Sequence, residues 1–423
     1  MQVRYIYSAC VVISTPDIII ACDPWFTPGS DCGSWLHYPP LPKDPVEIIG
    51  HVDAIYISHI HSDHYDPIFL RCYLAKFPNT ELLITNEKHP ILERRMQRDG
   101  FSPTVIESKN YGRTSIHLIP NFTAPLDHDT AMVVVHGDQS IANMNDNHVN
   151  DEQIDRILKL CPLGRPTMAM IPYTGAGPFP QTYQFDDPSE QVAAGAKKKK
   201  QFQNYYKNYI DKLDPIYALP FAGMFVLMGP LSKLNPHRGD TDAVELLDFP
   251  GKYGERTVVL ADGGDGVFDL DTGLASEIRT VLYDADEIQR YLDTYPFPGY
   301  SYEREFQPLG DRPIPLMPLI MSAYNRARSM TLSEKPWWLC LKANQHNEYY
   351  VVNSKLDAGV KIMSNVSDLE PRWEMHIDER LLFLILTRYY HWEEADGGSH
   401  TYSVRVPNVF EPDVCRFLQN MMV

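Results

Sequence analysis

Short apolar, β-branched runs alternate with mixed polar stretches along the first 270 residues. Runs of four to eight such residues bounded by turn residues read as buried strands, and the longer mixed stretches read as helices. Strands are expected over 3–13, 18–21, 54–57, 81–85, 115–119, 131–135, 167–171 and 258–261. Helices are expected over 67–77, 89–99, 151–160 and 189–213. Thr15, Pro16 and Asp17 punctuate the first apolar stretch, which predicts a hairpin of two buried strands at the N-terminus. Strands that alternate with helices predict an α/β layered fold.

The texture changes twice further on. Residues 271–330 read as helix and proline-rich loop, with Tyr295-Pro296-Phe297-Pro298-Gly299 as the clearest case. From 331 to 423 the runs WWLCLKA, EYYVVNS and GVKIM predict a small antiparallel sheet, with helices over 378–389 and 412–421. The chain therefore divides into a domain over 1–270, a connecting segment over 271–330 and a C-terminal α+β module over 331–423. The aromatics Trp337, Trp338, Tyr349 and Tyr350 look exposed in this pattern and are candidates for a homodimer contact.

Composition narrows the partners. The 423 residues are 44% hydrophobic, which excludes general disorder, and 38 Lys and Arg against 55 Asp and Glu leave a net charge of −17. A surface this acidic argues against nucleic acid and against anionic membranes. An anionic substrate would need local positive charge in the site, most simply a metal. The seven cysteines stand singly, without a C-x-x-C pair, and read as reduced thiols of a cytoplasmic protein. The polar break at residues 14–17 argues against a signal peptide, and no stretch approaches the roughly 18 apolar residues of a membrane helix. The lysine run at 197–200 reads as the solvated face of a helix.

The segment Ser58-His59-Ile60-His61-Ser62-Asp63-His64 carries the most specific chemistry. An apolar strand runs directly into it, so His59 and His61, two positions apart, can reach one ion together. After the turn, Asp63 and His64 can face a second. Imidazole and carboxylate suit zinc, iron or manganese. One or two transition-metal ions are therefore expected as cofactors.

This motif resembles that of the metallo-β-lactamase fold, an αββα sandwich. The N-terminal hairpin that ends in Cys22-Asp23-Pro24-Trp25 is similar to that superfamily's as well. The resemblance implies that Asp23 holds a ligand histidine from behind. It also implies that His128, in Pro125-Leu126-Asp127-His128-Asp129, is the third histidine of the first metal site, and that Asp146 bridges two metals. A last histidine is expected after the next strand, where Pro220-Phe221-Ala222-Gly223 has none; His237 is the nearest candidate.

Further stretches resemble one branch of the superfamily, the enzymes that hydroxylate CMP-N-acetylneuraminate and their relatives acting on nucleotide sugars. They include Asn143-Met144-Asn145-Asp146, Tyr173-Thr174-Gly175-Ala176-Gly177-Pro178, Pro220-Phe221-Ala222-Gly223 and His391-Trp392-Glu393-Glu394. Gly175 and Gly177 would let backbone N–H groups approach a phosphate or carboxylate, with Tyr173 and Tyr183 against a base or sugar ring. A turn followed by core aromatics accounts for the same residues. Arg238 is either a two-pronged phosphate partner or a surface arginine.

Those hydroxylases carry a Rieske iron–sulfur domain built on paired C-x-H and C-x-x-H ligands, and no such pairs occur in this sequence. The leading expectation is thus a metal-dependent hydrolase acting on an anionic small molecule, a nucleotide sugar or acidic amino sugar. Its metal would activate water, and Asp146 or Asp63 would accept the proton. The alternative is an iron oxygenase that takes electrons from a separate donor protein.

Overall fold

The computed structural model describes residues 1–121, 129–310, 312–331, 333–343 and 347–423. Two sheets stack face to face. The first orders its eight strands as Leu274–Ala275, Val267–Asp269, Gln2–Tyr7, Cys10–Ser14, Ile19–Cys22, Ala54–Tyr56, Glu81–Thr85 and Thr104–Ile106. The second runs Tyr217–Phe221, Met168–Pro172, Gln139–Asn143, Thr130–His136, Thr114–Pro120 and Ser108–Tyr111.

Side-chain alternation explains the layering. Val11, Ile13 and Ile20 of the first sheet meet Met132, Val134 and Ile141 of the second in one core between the sheets. Intervening residues point outward. Val133 and Ala142 pack under the helices Asp151–Leu160 and Pro188–Leu213, and Val12 and Ile55 pack under Pro67–Lys76 and Ile91–Arg98. The result is the αββα sandwich implied by the metallo-β-lactamase resemblance.

Two of the expected strands differ. Residues 3–13 form two antiparallel strands, Gln2–Tyr7 and Cys10–Ser14, which turn at Ser8 (φ 45°) and Ala9. Both turn residues are buried, so the turn lacks the polar punctuation that would reveal it. The run 258–261 joins no strand; Thr257 and Leu260 make single bridges to Ala218 and Ile278.

The C-terminal sheet has five strands, Lys361–Met363, Tyr349–Asn353, Trp338–Ala343, Arg372–Ile377 and Tyr402–Val406. It is mixed, not antiparallel, because Trp338–Ala343 and Arg372–Ile377 pair in parallel. The sequence RWEMHI interleaves charged and apolar residues and so gave no continuous apolar run to read. Tyr300, Leu316, Ile320 and Tyr324 share this sheet's core with Trp337, Trp373 and Leu381. Trp337 is buried, and Trp338, Tyr349 and Tyr350 are half-buried against the same sheet, so these aromatics are committed within the chain and do not support a dimer contact. All seven cysteines are unpaired. Among the described residues no helix is long and apolar enough to cross a membrane.

Candidate metal centre

Parallel strands deliver the candidate residues to one edge of the sandwich. Ile19–Cys22 leads to Asp23, and its parallel neighbour Ala54–Tyr56 leads to residues 58–64. In the second sheet, Gln139–Asn143, Met168–Pro172 and Tyr217–Phe221 run parallel and lead to Asp146, residues 173–177 and Ala222. Loops at the carboxyl ends of parallel strands are where α/β proteins build their sites. The backbone is held in unusual conformations there, with φ of 41° at Asp23, 43° at Asn145 and 55° at Ala222. Asp and Asn tolerate the left-handed region, whereas alanine is strained in it. Asn143 and Asn145 cap the turn through their side chains, each accepting from a backbone N–H two residues on at 2.9 Å, which fixes Asp146.

The histidines converge. His59 Nε2 lies 2.8 Å from His61 Nδ1, and one ligand atom each from His59, His61 and Asp146 fall within 4.8 Å of one another. Asp146 sits between the two halves of the motif, with Oδ1 3.9 Å from His59 Nδ1 and Oδ2 3.5 Å from His64 Nε2. Asp63 Oδ2 is 3.3 Å from the same His64 nitrogen. Behind them, Asp23 accepts the Ser58 backbone N–H at 2.7 Å and the His64 Nδ1–H at 3.1 Å.

Electrostatics follow from this packing. Burial alone would raise the Asp146 carboxyl, but His64 and His59 outweigh it and hold the group far below the usual carboxylate range. Asp63 is lowered for the same reason, chiefly by His64 working against burial. Burial would lower His64, yet Asp146, Asp63 and Asp23 together raise it well above an ordinary histidine. Asp146 Oδ1 is buried and has no hydrogen-bond partner among the described residues. A buried carboxylate oxygen without a partner, facing two imidazoles, is the environment a cation completes. The residues present therefore fit a transition-metal ion.

His59, His61, Asp63, His64, Asp146 and Asp23 thus stand together. His128 lies outside the described residues; its neighbour Asp129 places Oδ1 3.6 Å from His59 Nδ1. His237 is exposed at the end of a 3-10 helix, Gly229–His237, while Ala222 and Gly223 occupy the cavity wall where a last histidine was expected. The Arg238 guanidinium is buried, pairing with Asp240 at 2.7 Å and donating to the Phe225 carbonyl at 2.7 Å. Tyr173 turns to a separate interior void of about 10 Å³ beside Tyr5 and Asp262. Tyr183 packs in the C-terminal core beneath Arg405. Gly175 and Gly177 do line the main cavity.

That cavity, about 330 Å³, opens over His61, Asp63 and Asp146. Phe225, stacked on Trp35 with ring centroids 3.4 Å apart, and Phe202 form its apolar walls. No lysine or arginine is among the described residues that line it. The helix Trp392–Gly397 supplies Glu393, Asp396 and Gly397 to its rim. Trp35 and Phe225 carry no sequence signal of a site, because only the tertiary fold brings them to the motif.

No protein-family model matches the chain. Over 252 residues it is 27% identical to a Rieske-named 2Fe-2S iron–sulfur protein of Mycolicibacterium smegmatis, covering 57% of this chain and 47% of that protein. Over 314 residues it is 25% identical to the cytidine monophosphate-N-acetylneuraminic acid hydroxylase of Asterias rubens, covering 71% of this chain and 46% of that protein. The chain is similar to these hydroxylases. It spans about half the length of the curated relatives it matches. Among solved structures, an isothiocyanate hydrolase from Delia radicum gut bacteria overlays with a TM-score of 0.40 at 13% identity, covering 64% of this chain and 99% of that one. An overlay that loose decides nothing about chemistry.

Proposed function

We propose that this chain is a non-haem iron oxygenase that hydroxylates a small molecule, with electrons from a separate donor protein. The observation that carries this reading is the donor set of two imidazoles and one carboxylate, His59, His61 and Asp146, gathered within 4.8 Å. Two histidines and a carboxylate with open positions are the characteristic donors of iron oxygenases. The hydroxylase names of the sequence relatives support it. Bound iron would supply dioxygen activation, in which a C–H bond, O2, two electrons and two protons yield an alcohol and water.

The chain's own residues set the conditions for that chemistry. Asp146 and Asp63 stay ionised beside the histidines and supply negative charge to the donor set. Asp23 holds the His64 proton on Nδ1 and leaves Nε2 turned to Asp63 and Asp146. Phe202, Phe225 and Trp35 give the substrate an apolar wall and displace water from it. At the rim, burial and the nearby Glu393 push the Asp396 carboxyl up to about 7, so Asp396 can hold or release a proton near neutral pH. An anionic substrate such as a nucleotide sugar would rely on the metal for attraction, since no cationic side chain lines the described walls.

Hydrolysis is the second reading. It is supported by the same donor set, since imidazole and carboxylate suit zinc as well as iron. The deciding experiment compares iron-loaded and zinc-loaded protein. Oxygenation predicts consumption of O2 and reductant with iron, stimulated by a nucleotide-sugar substrate. Cleavage of esters or phosphodiesters with zinc, and no O2 uptake with iron, would replace it by hydrolysis.

A further inference from the structure

The metal-ligand loop and the C-terminal helix Trp392–Gly397 meet at one side chain. His61 turns Nδ1 toward His59, 2.8 Å from that ring's Nε2. Its other nitrogen, Nε2, points out of the pair and lies 3.6 Å from Glu393 Oε2. The second oxygen of that carboxylate, Oε1, accepts from Gln419 Nε2 at 2.7 Å, which ties Glu393 to the last helix of the chain, Pro412–Gln419.

The helix that carries Glu393 is itself fixed to the sandwich. Trp35 Nε1 donates to the Gly397 carbonyl at 3.0 Å, and His400 Nε2 donates to the Asp31 carbonyl at 3.0 Å. A Cβ at Gly397 would lie 2.6 Å from Asp31 Oδ1, so glycine is what allows this close approach. Glu393, whose side chain is partly exposed, is therefore carried to His61 by a docked element.

We infer that Glu393 is a positioning residue for His61, supplied to the metal site by the C-terminal module. A neutral imidazole carries one N–H, and a carboxylate 3.6 Å from Nε2 favours the tautomer with its proton there, leaving the Nδ1 lone pair for a metal. Asp23 stands in the same relation to His64 from within the sandwich, 3.1 Å from its Nδ1. The two ligand histidines are thus oriented by carboxylates from different parts of the chain, and metal affinity depends on how the C-terminal module docks. This inference rests on the reading of the histidine cluster as a metal site.

The test uses the full chain, with Fe(II) and Zn(II) as probes in anaerobic competition against a chelator. Glu393→Ala is expected to weaken metal binding about 10–100-fold, the usual effect of losing an outer-shell carboxylate. The melting temperature of its metal-free form should stay close to wild type, a split that a merely structural role would not produce. Gln419→Ala, which only loosens Glu393, and Glu393→Gln, which keeps an acceptor oxygen, should each weaken binding by a smaller factor. Wild-type affinity in Glu393→Ala overturns the inference. Should that variant fail to fold, wild-type affinity in both Gln419→Ala and Glu393→Gln overturns it equally. If the wild-type chain binds neither metal, the metal reading itself falls; if it binds and the variants match it, only the role of Glu393 falls.

Discussion

Replacing Asp23 with asparagine tests how the site controls a single proton. Asp23 is 1% exposed and uses both oxygens, one on the Ser58 N–H at 2.7 Å and the other on His64 Nδ1 at 3.1 Å. Asparagine keeps the first bond through Oδ1 but presents Nδ2–H to His64. The tautomer that can ligate, with its proton on Nδ1 and Nε2 free to face Asp63 at 3.3 Å and Asp146 at 3.5 Å, then loses the acceptor that holds it. A protonated Nε2 cannot ligate. Loss of such an outer partner weakens metal binding by about 10–100-fold, or about 1.4–2.7 kcal/mol. The metal-free protein loses one charge-assisted hydrogen bond, worth about 1.5–3 kcal/mol. Chelator competition with Fe(II) and Zn(II) should show this loss of affinity. Wild-type metal affinity in Asp23→Asn would refute the argument.

Other predictions follow from the packing around the site. Trp35→Ala removes the stack on Phe225 and the bond to Gly397, and should cost about 3–5 kcal/mol in denaturant unfolding. Trp35→Phe should cost less, about 2 kcal/mol, because it keeps a ring against Phe225 and loses the hydrogen bond and part of the indole volume. A Cβ at Gly175 would overlap the Phe202 ring, so Gly175→Ala must swing that ring into the cavity. It should raise KM about tenfold while metal stoichiometry per chain stays unchanged. Burial lowers His37 to about 4 despite its bond to the Trp25 carbonyl at 2.9 Å. Its contribution is therefore complete above about pH 6.5 and is lost as pH falls toward about 4, by at most about 3 kcal/mol. Thermal melts of His37→Gln should show a correspondingly shallower acid loss than wild type over that window.

Features fixed by local sequence were legible in advance. The strand 81–85 and the helix 151–160 coincide with Glu81–Thr85 and Asp151–Leu160, because each carries its own apolar pattern and its own boundaries. The clustering of His59 through His64 was equally readable, since four donor residues stand within six positions at a strand end. What sequence could not show depends on packing. Tyr173 and Tyr183 are aromatic beside a glycine loop in either reading, and only the fold turns one to an interior void and the other into the C-terminal core. Arg238 offers the same guanidinium to a phosphate or to Asp240, and burial against the Phe225 ring decides for Asp240. Glu393 lies 332 residues from His61, and no spacing rule spans that distance.

The most direct measurement is the metal-to-chain ratio of protein isolated without chelators and then equilibrated anaerobically with Fe(II). The account predicts one or two iron ions per chain, falling when His59 or His61 is changed to alanine. A chain that holds no iron, zinc or manganese under these conditions would contradict it.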